Sequence, residues 1–118
     1  MRHRVAGRRL GRPTDQRLAL LRSLMRELFI HGKVETTLPK AKEASRMAEK
    51  ILRRAKIDSL HSRRMVRRLV PDENLIHSLF TEIAERFAER EGGFTQIIPK
   101  SFRRRGDGST LAILKLTD

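Results

Sequence analysis

Apolar residues recur at spacings of three and four along most of this chain, and glycines and prolines interrupt the pattern. Such spacing places the apolar side chains on one face of a helix. A first helix is predicted over residues 14–31, with Thr14 as its N-cap and Gly32 as its stop. Its apolar face consists of Leu18, Leu21, Met25, Leu28 and Phe29.

Three further helices are predicted from the same periodicity. Pro39 opens the second, which runs to about Ile57, because proline at the first helical position loses no hydrogen bond. The third is capped by Asp58 or Ser59, and the fourth spans about residues 72–90. The predicted buried positions of the second and fourth helices are Ala44, Ala48, Ile51, Leu52 and Ala55, and Leu75, Ile76, Leu79, Phe80, Ile83 and Phe87.

Short strands are expected at residues 33–37, 94–100 and 110–117. The last alternates apolar and other residues, with Ala112, Leu114 and Leu116 on one face, and is expected to pair antiparallel with the strand before it. Strands at both ends of a helical series predict an α+β fold of about four helices packed with a small sheet of about three strands.

Charge narrows the function classes. The 118 residues include 27 Lys+Arg against 14 Asp+Glu, a formal net charge of +13. A chain so basic repels itself unless a polyanion neutralises it, and the arginine fork pairs well with phosphate oxygens. The chain has no cysteine, its four histidines lack zinc-ligand spacing, and no nucleophile stands near an evident base. We therefore expect a non-enzyme without metal, cofactor or small-molecule substrate.

A basic N-terminal arm is predicted over residues 1–13, followed by a single globular domain over residues 14–118 with a basic loop at 101–109. The arm contains five arginines and no acid, so we expect it to be extended until a partner orders it. A merely solubilising tail is the alternative. His3 is a candidate for stacking on a base or touching phosphate. The arginines of the arm are Arg2, Arg4, Arg8, Arg9 and Arg12.

Within the domain, residues 39–70 hold eleven basic and three acidic side chains, whereas residues 71–91 hold two basic and six acidic ones. The second and third helices and the loop are therefore expected to form the electropositive side, with the fourth helix facing away from the polyanion. A solvated helix face and a random basic turn are the alternatives. The candidate phosphate-binding residues are Lys42, Arg46 and Lys50, Arg63, Arg64 and Arg67, and Arg103, Arg104 and Arg105.

Aromatic residues are too few for a platform that reads single-stranded bases, because the chain has five phenylalanines and no Trp or Tyr. The phenylalanines of the helices are core candidates. Recognition of folded RNA through phosphate, ribose and shape is therefore predicted.

Three segments resemble the family of the seventeenth protein of the bacterial large ribosomal subunit. They are the arm from Arg2 to Arg12, the run from Thr36 to Glu43, and Gly92-Gly93-Phe94-Thr95 followed by Arg105-Gly106-Asp107. The resemblance covers the whole chain in order and length. The chain departs from the family pattern at Val5, Gln96 and Ser109-Thr110.

This resemblance implies a structural constituent of the large ribosomal subunit that binds its ribosomal RNA beside neighbouring ribosomal proteins, in the cytoplasm and without a membrane or obligate homo-oligomer. It further implies RNA contacts by Arg2, His3, Arg4, Arg8, Arg9 and Arg12, and by Lys40 and Lys42. A DNA-compacting protein is the main alternative, although no helix-turn-helix signature supports it. A binder of anionic membranes is the other, and the alanine-rich face of the second helix suits helix packing better.

Overall fold

The computed structural model of the chain describes residues 7–117. Its elements are α1 (Thr14–His31), β1 (Lys33–Thr37), α2 (Leu38–Ala55), α3 (Leu60–Arg67), α4 (Glu73–Ser78), a π-helical segment (Leu79–Ile83), α5 (Ala84–Arg86), β2 (Thr95–Arg103) and β3 (Thr110–Leu116). From α4 to α5 the chain is helical without a break, and we call this stretch the fourth helix. The predicted α+β class, with four helices and three strands, is confirmed.

The first helix ends where the sequence predicts. Gly32 adopts a left-handed conformation with φ 80°, and its N–H donates to the Leu28 carbonyl at 2.7 Å. The prediction that Thr14 is the N-cap is wrong by one residue. Pro13 occupies that position, because its carbonyl already accepts a helical hydrogen bond from the Arg17 N–H at 2.9 Å.

The sheet has the order β1-β3-β2, and both pairs of strands are antiparallel. The central strand buries Ala112, Leu114 and Leu116 on the face that the alternation predicts. The strand β2 is longer than expected, since Arg103 pairs with Thr110 after a register shift. The predicted loop at 101–109 is therefore shortened to residues 104–109.

The core lies between the helices and one face of this sheet, where α2 contacts all three strands. Its alanines Ala41, Ala44 and Ala48 are fully buried, and their small side chains allow the helix axis to approach its neighbours closely. Phe87 and Phe94 pack edge to face at the end of the core, with ring centroids 5.5 Å apart. All the predicted buried positions of the second and fourth helices are buried.

The fourth helix begins after Asp72, whose side chain accepts a hydrogen bond from the Leu75 N–H at 3.3 Å. It ends at Arg86, four residues before the predicted Arg90. The helix stops because Phe87 leaves the helical conformation, with φ −113° and ψ 14°, and its side chain is buried in the core. The second helix likewise ends at Ala55, two residues before the predicted Ile57.

Candidate nucleic-acid interface

The described part of the basic arm lies against the second helix. The Arg8 guanidinium donates to the carboxylate of Glu43 at 2.8 Å, and Glu43 is only 8% exposed. Gly7 has a φ of +98°, and a β-carbon added there would lie 3.7 Å from Glu43 Oε2. The arm is therefore anchored on α2 at residues 7 and 8.

Between this anchor and α1 the arm turns sharply instead of running extended. Leu10 and Gly11 have φ values of 54° and 67°, and the Arg12 N–H donates to the Arg9 carbonyl at 3.1 Å. The Arg12 guanidinium also donates to the Leu10 carbonyl at 2.8 Å, which stabilises the turn. Arg9 projects into solvent at its start. The expectation of an extended arm is thus wrong for residues 9–12, while Arg2, His3 and Arg4 lie outside the described residues.

A basic stripe on α2 continues from this anchor. Lys42, Arg46 and Lys50 are exposed, whereas Lys40 is half-buried. Arg46 lies 3.7 Å from the same Glu43 carboxylate. A groove of about 350 Å³ runs beside the stripe, and its lining residues are Leu21, Glu43, Arg46, Met47, Lys50 and Leu69. The stripe and the anchor of the arm therefore share one surface.

Two of the three α3 arginines that are predicted to bind phosphate are ion-paired with acidic residues. Arg63 donates two hydrogen bonds to the carboxylate of Asp58, at 2.7 and 3.1 Å, and its guanidinium lies 5.2 Å from the centre of the Phe80 ring. This pairing lowers the pKa of Asp58 and raises the pKa of Arg63. Arg67 pairs with Glu73 at 2.5 Å. Arg64 is exposed and has no acidic partner within residues 7–117.

The arginines at the turn between β2 and β3 likewise include both paired and unpaired side chains. Asp107 accepts hydrogen bonds from Arg104 Nε at 3.2 Å and from the Ser109 N–H at 3.0 Å, so the pKa of Asp107 falls well below its usual range. Arg103 and Arg105 are exposed, and neither forms an ion pair within the part of the chain that is described. The β2–β3 turn is thus stiffened by the ion pair of Arg104, while Arg103 and Arg105 on either side of it remain unpaired within residues 7–117.

The loop also lies next to the start of the second helix. A groove of about 300 Å³ is lined by Thr37, Leu38, Pro39, Ser109 and Thr110. The first turn of α2 contains no acid, so the positive end of its dipole is not neutralised there by an acidic side chain. The fold therefore brings the arginine loop beside the start of α2, the helix whose basic stripe adjoins the arm.

Acidic residues concentrate on a different set of elements. A groove of about 490 Å³ between α1 and the fourth helix is lined by residues that include Asp72 and Glu82. Glu85, Glu89 and Glu91 are exposed on or just after that helix. The sequence predicts that basic and acidic residues lie on different elements. In the structure, the groove beside the basic stripe and the groove between α1 and the fourth helix are lined by different residues.

Two glutamates have roles that the sequence did not reveal. Glu43 is buried beneath Arg8 and Arg46. Glu49 accepts hydrogen bonds from the backbone N–H and the hydroxyl of Thr95, at 2.9 and 3.0 Å. In the sequence, these roles were indicated only by the positions of the two glutamates next to Ala44 and Ala48, which are predicted to be buried.

Neither a membrane-spanning helix nor a metal site is found among the described residues. Within residues 7–117 no helix combines the length and apolarity needed to cross a membrane. The same residues contain no group of three or more potential metal ligands. The fold and the surface together define a small, basic α+β protein that has, among its described residues, unpaired cations on α2, on α3 and at the β2–β3 turn.

Comparison with known proteins identifies the family. The model of the family described as ribosomal protein L17 matches residues 20–117. The chain is 51% identical over 115 residues to the large ribosomal subunit protein bL17 of Coprothermobacter proteolyticus, covering 98% of this chain and 97% of that protein. It is 43% identical to the protein of the same name from Thermus thermophilus over the full length of both chains. The chain belongs to the ribosomal protein L17 family, a family of structural ribosomal proteins and not of enzymes.

Proposed function

We propose that this chain is a structural constituent of the bacterial large ribosomal subunit, where it binds and stabilises large-subunit ribosomal RNA and so supports translation. The observation that carries the proposal is similarity over nearly the whole chain to proteins named for that subunit. Contacts would be made to phosphates and to the shape of folded RNA, because the exposed chemistry is cationic.

The unpaired cations are the primary phosphate ligands in this proposal. Arg9, Lys42, Lys50, Arg64, Arg103 and Arg105 are exposed and form no ion pair within residues 7–117. A phosphate that reaches one of them displaces counterions and water only, which favours binding. Arg2, His3, Arg4, Arg12 and Lys40 complete the proposed contacts.

The paired cations form a second group. A phosphate must compete with a carboxylate at each of them, which reduces the gain from the contact. Glu43, Asp58, Glu73 and Asp107 are the carboxylates concerned. The cations are Arg8, Arg46, Arg63, Arg67 and Arg104.

Neighbouring large-subunit ribosomal proteins are the further partners that we propose, with the ribosome of the cytoplasm as the location. The groove between α1 and the fourth helix, whose lining includes Asp72 and Glu82, offers a less cationic surface for such proteins. No obligate homo-oligomer is required, since the domain buries its own core.

Sedimentation tests this function directly. A lysate is fractionated in high-magnesium buffer and again in low-magnesium buffer, which separates the ribosomal subunits. We expect the protein to migrate with whole ribosomes and then with the large subunit alone. Migration as a free protein, or with the chromosome, would overturn the proposal and favour the DNA-compacting alternative.

A further inference from the structure

One phenylalanine is placed differently from the other four. Phe102 is 61% exposed, whereas Phe29, Phe80, Phe87 and Phe94 are at most 6% exposed. An exposed apolar residue is common in itself. Its neighbours in the chain, Arg103 and Arg105, are exposed cations without an acidic partner within residues 7–117. An exposed aromatic residue therefore lies one and three positions before these two arginines in the chain.

The ring lies in an irregular part of the sheet. Pro99 pairs with Ala112 and Arg103 pairs with Thr110, so three residues of β2 stand opposite the single residue Leu111. Such bulges re-aim side chains that a regular ladder would place on a fixed face. The bulged segment lies on an edge strand, because the sheet order is β1-β3-β2. Within residues 7–117 no further strand of the sheet covers it.

The ring is also supported by a fixed cation. The Lys100 ammonium lies 4.9 Å from the centre of the Phe102 ring and pairs with Glu35 at 2.7 Å. This ammonium is attracted by the electrons of the ring and limits its freedom. An ordered ring loses less conformational entropy when a ligand stacks on it.

The chemistry of the surroundings selects the ligand. A neutral apolar pocket on a partner protein would have to remove water from Arg103 and Arg105 without pairing them, which is unfavourable. A nucleotide offers a flat base for the ring and an adjacent phosphate for a guanidinium, so it satisfies all three groups together.

We propose that Phe102 is a base-stacking residue that receives one unpaired nucleobase of the bound RNA, while Arg103 and Arg105 bind phosphates of the same strand. The proposal rests on the RNA-binding function given above and adds a contact to a base. It also explains why a chain with so few aromatic residues exposes one near the end of β2, just before the arginines of the β2–β3 turn.

Binding of the full-length protein to transcribed large-subunit ribosomal RNA tests the proposal over a series of salt concentrations. Phe102→Ala should raise Kd by roughly 5- to 150-fold and leave the salt dependence unchanged, because a stacked base is lost and no phosphate contact is. Phe102→Leu, which keeps apolar area but no aromatic face, should weaken binding nearly as much. Phe102→Trp should bind as tightly as the parent.

The matched control is Ile30→Ala, which removes an exposed apolar side chain from the groove lined by Asp72 and Glu82. It should bind RNA like the parent. Thermal unfolding of each variant establishes that it is folded, as expected for a residue so exposed. A Phe102→Ala or Phe102→Leu variant with the Kd of the parent would overturn the stacking role.

Two further outcomes distinguish failure of the stacking role from failure of the proposed RNA-binding function. If the parent binds the RNA tightly and Phe102→Ala is impaired only in joining large subunits assembled with their proteins, the ring docks on a protein and the inference is overturned. If the parent itself shows no salt-dependent binding to this RNA, the proposed function fails and the stacking role falls with it.

Discussion

The carboxylate of Glu43 and the guanidinium of Arg8 form a hydrogen-bonded ion pair at 2.8 Å, although the two residues are 35 positions apart in the chain. Glu43 lies one position before the fully buried Ala44, and its own side chain is largely removed from water. A carboxylate in such a place requires a partner, because an unpaired buried charge is costly. The pair therefore holds residue 8 of the basic arm against the packed face of α2.

This link predicts coupling between the two residues. Glu43→Gln and Arg8→Ala should each lower the free energy of unfolding by about 1 kcal/mol, since each removes a charged hydrogen bond that is partly buried. The double variant should cost less than the sum by about 0.5 kcal/mol or more. Urea unfolding of the four proteins measures the cycle, and strict additivity would contradict the pairing. Glu89→Gln, at an exposed acid after the fourth helix, is the control.

Glu49 is expected to fix the start of β2 on α2. Glu49→Gln should lower the free energy of unfolding by about 1–3 kcal/mol, because the hydrogen bonds from Thr95 lose their charged acceptor. Hydrogen exchange at the Thr95 amide should also accelerate more than the loss of global stability explains. An unchanged exchange rate at that amide would show that Glu49 does not hold the strand.

The two phenylalanines Phe94 and Phe102 provide a matched test of burial. Phe94 is fully buried and packs against Phe87, so Phe94→Ala should cost about 3–5 kcal/mol. Phe102→Ala removes the same group from an exposed position and should change stability by at most about 0.5 kcal/mol. Thermal unfolding compares the two, and a large loss at Phe102 would mean that its ring packs in the core.

The arginine loop is expected to contribute unequally to salt-dependent RNA binding. Arg103→Ala and Arg105→Ala should each reduce the magnitude of the slope of log K against log salt by ~0.7–0.9. Arg104→Ala should reduce it less, because Arg104 is already neutralised by Asp107. Binding isotherms at four or more salt concentrations measure the slopes. Three equal reductions would contradict the pairing in the RNA-bound state, and an unchanged slope would remove the loop from the interface.

Acid stability should depend on Asp107. Hydrogen bonds from Arg104 and Ser109 lower the pKa of Asp107 in the folded protein, so its contribution to stability is complete above the unfolded value of about 4. That contribution is lost as the pH falls through the lower folded pKa. The difference in urea midpoint between the parent and Asp107→Asn should therefore be largest above about pH 4 and shrink below it. A difference that stays constant with pH would argue against this pair.

The features that could be predicted from the sequence are those set by interactions between residues close together in the chain. The helix α1 was predicted with its correct bounds, because apolar spacing and the glycine at position 32 act within a few residues of the chain. The alternation in β3 and the separation of basic from acidic segments were equally visible, since each belongs to a local run. The ribosomal family was also recognisable from contiguous motifs.

Only the tertiary structure decided which charges remain available to a partner. The pairs Arg8–Glu43 and Thr95–Glu49 join residues 35 and 46 positions apart, and nothing local in the chain specifies them. The register shift in β2 likewise depends on its pairing with β3, and Phe102 lies exposed within the shifted segment. The sequence by itself determined the elements and the net charge. Packing determined which cations are neutralised and which ring is exposed, because both depend on what the fold removes from water.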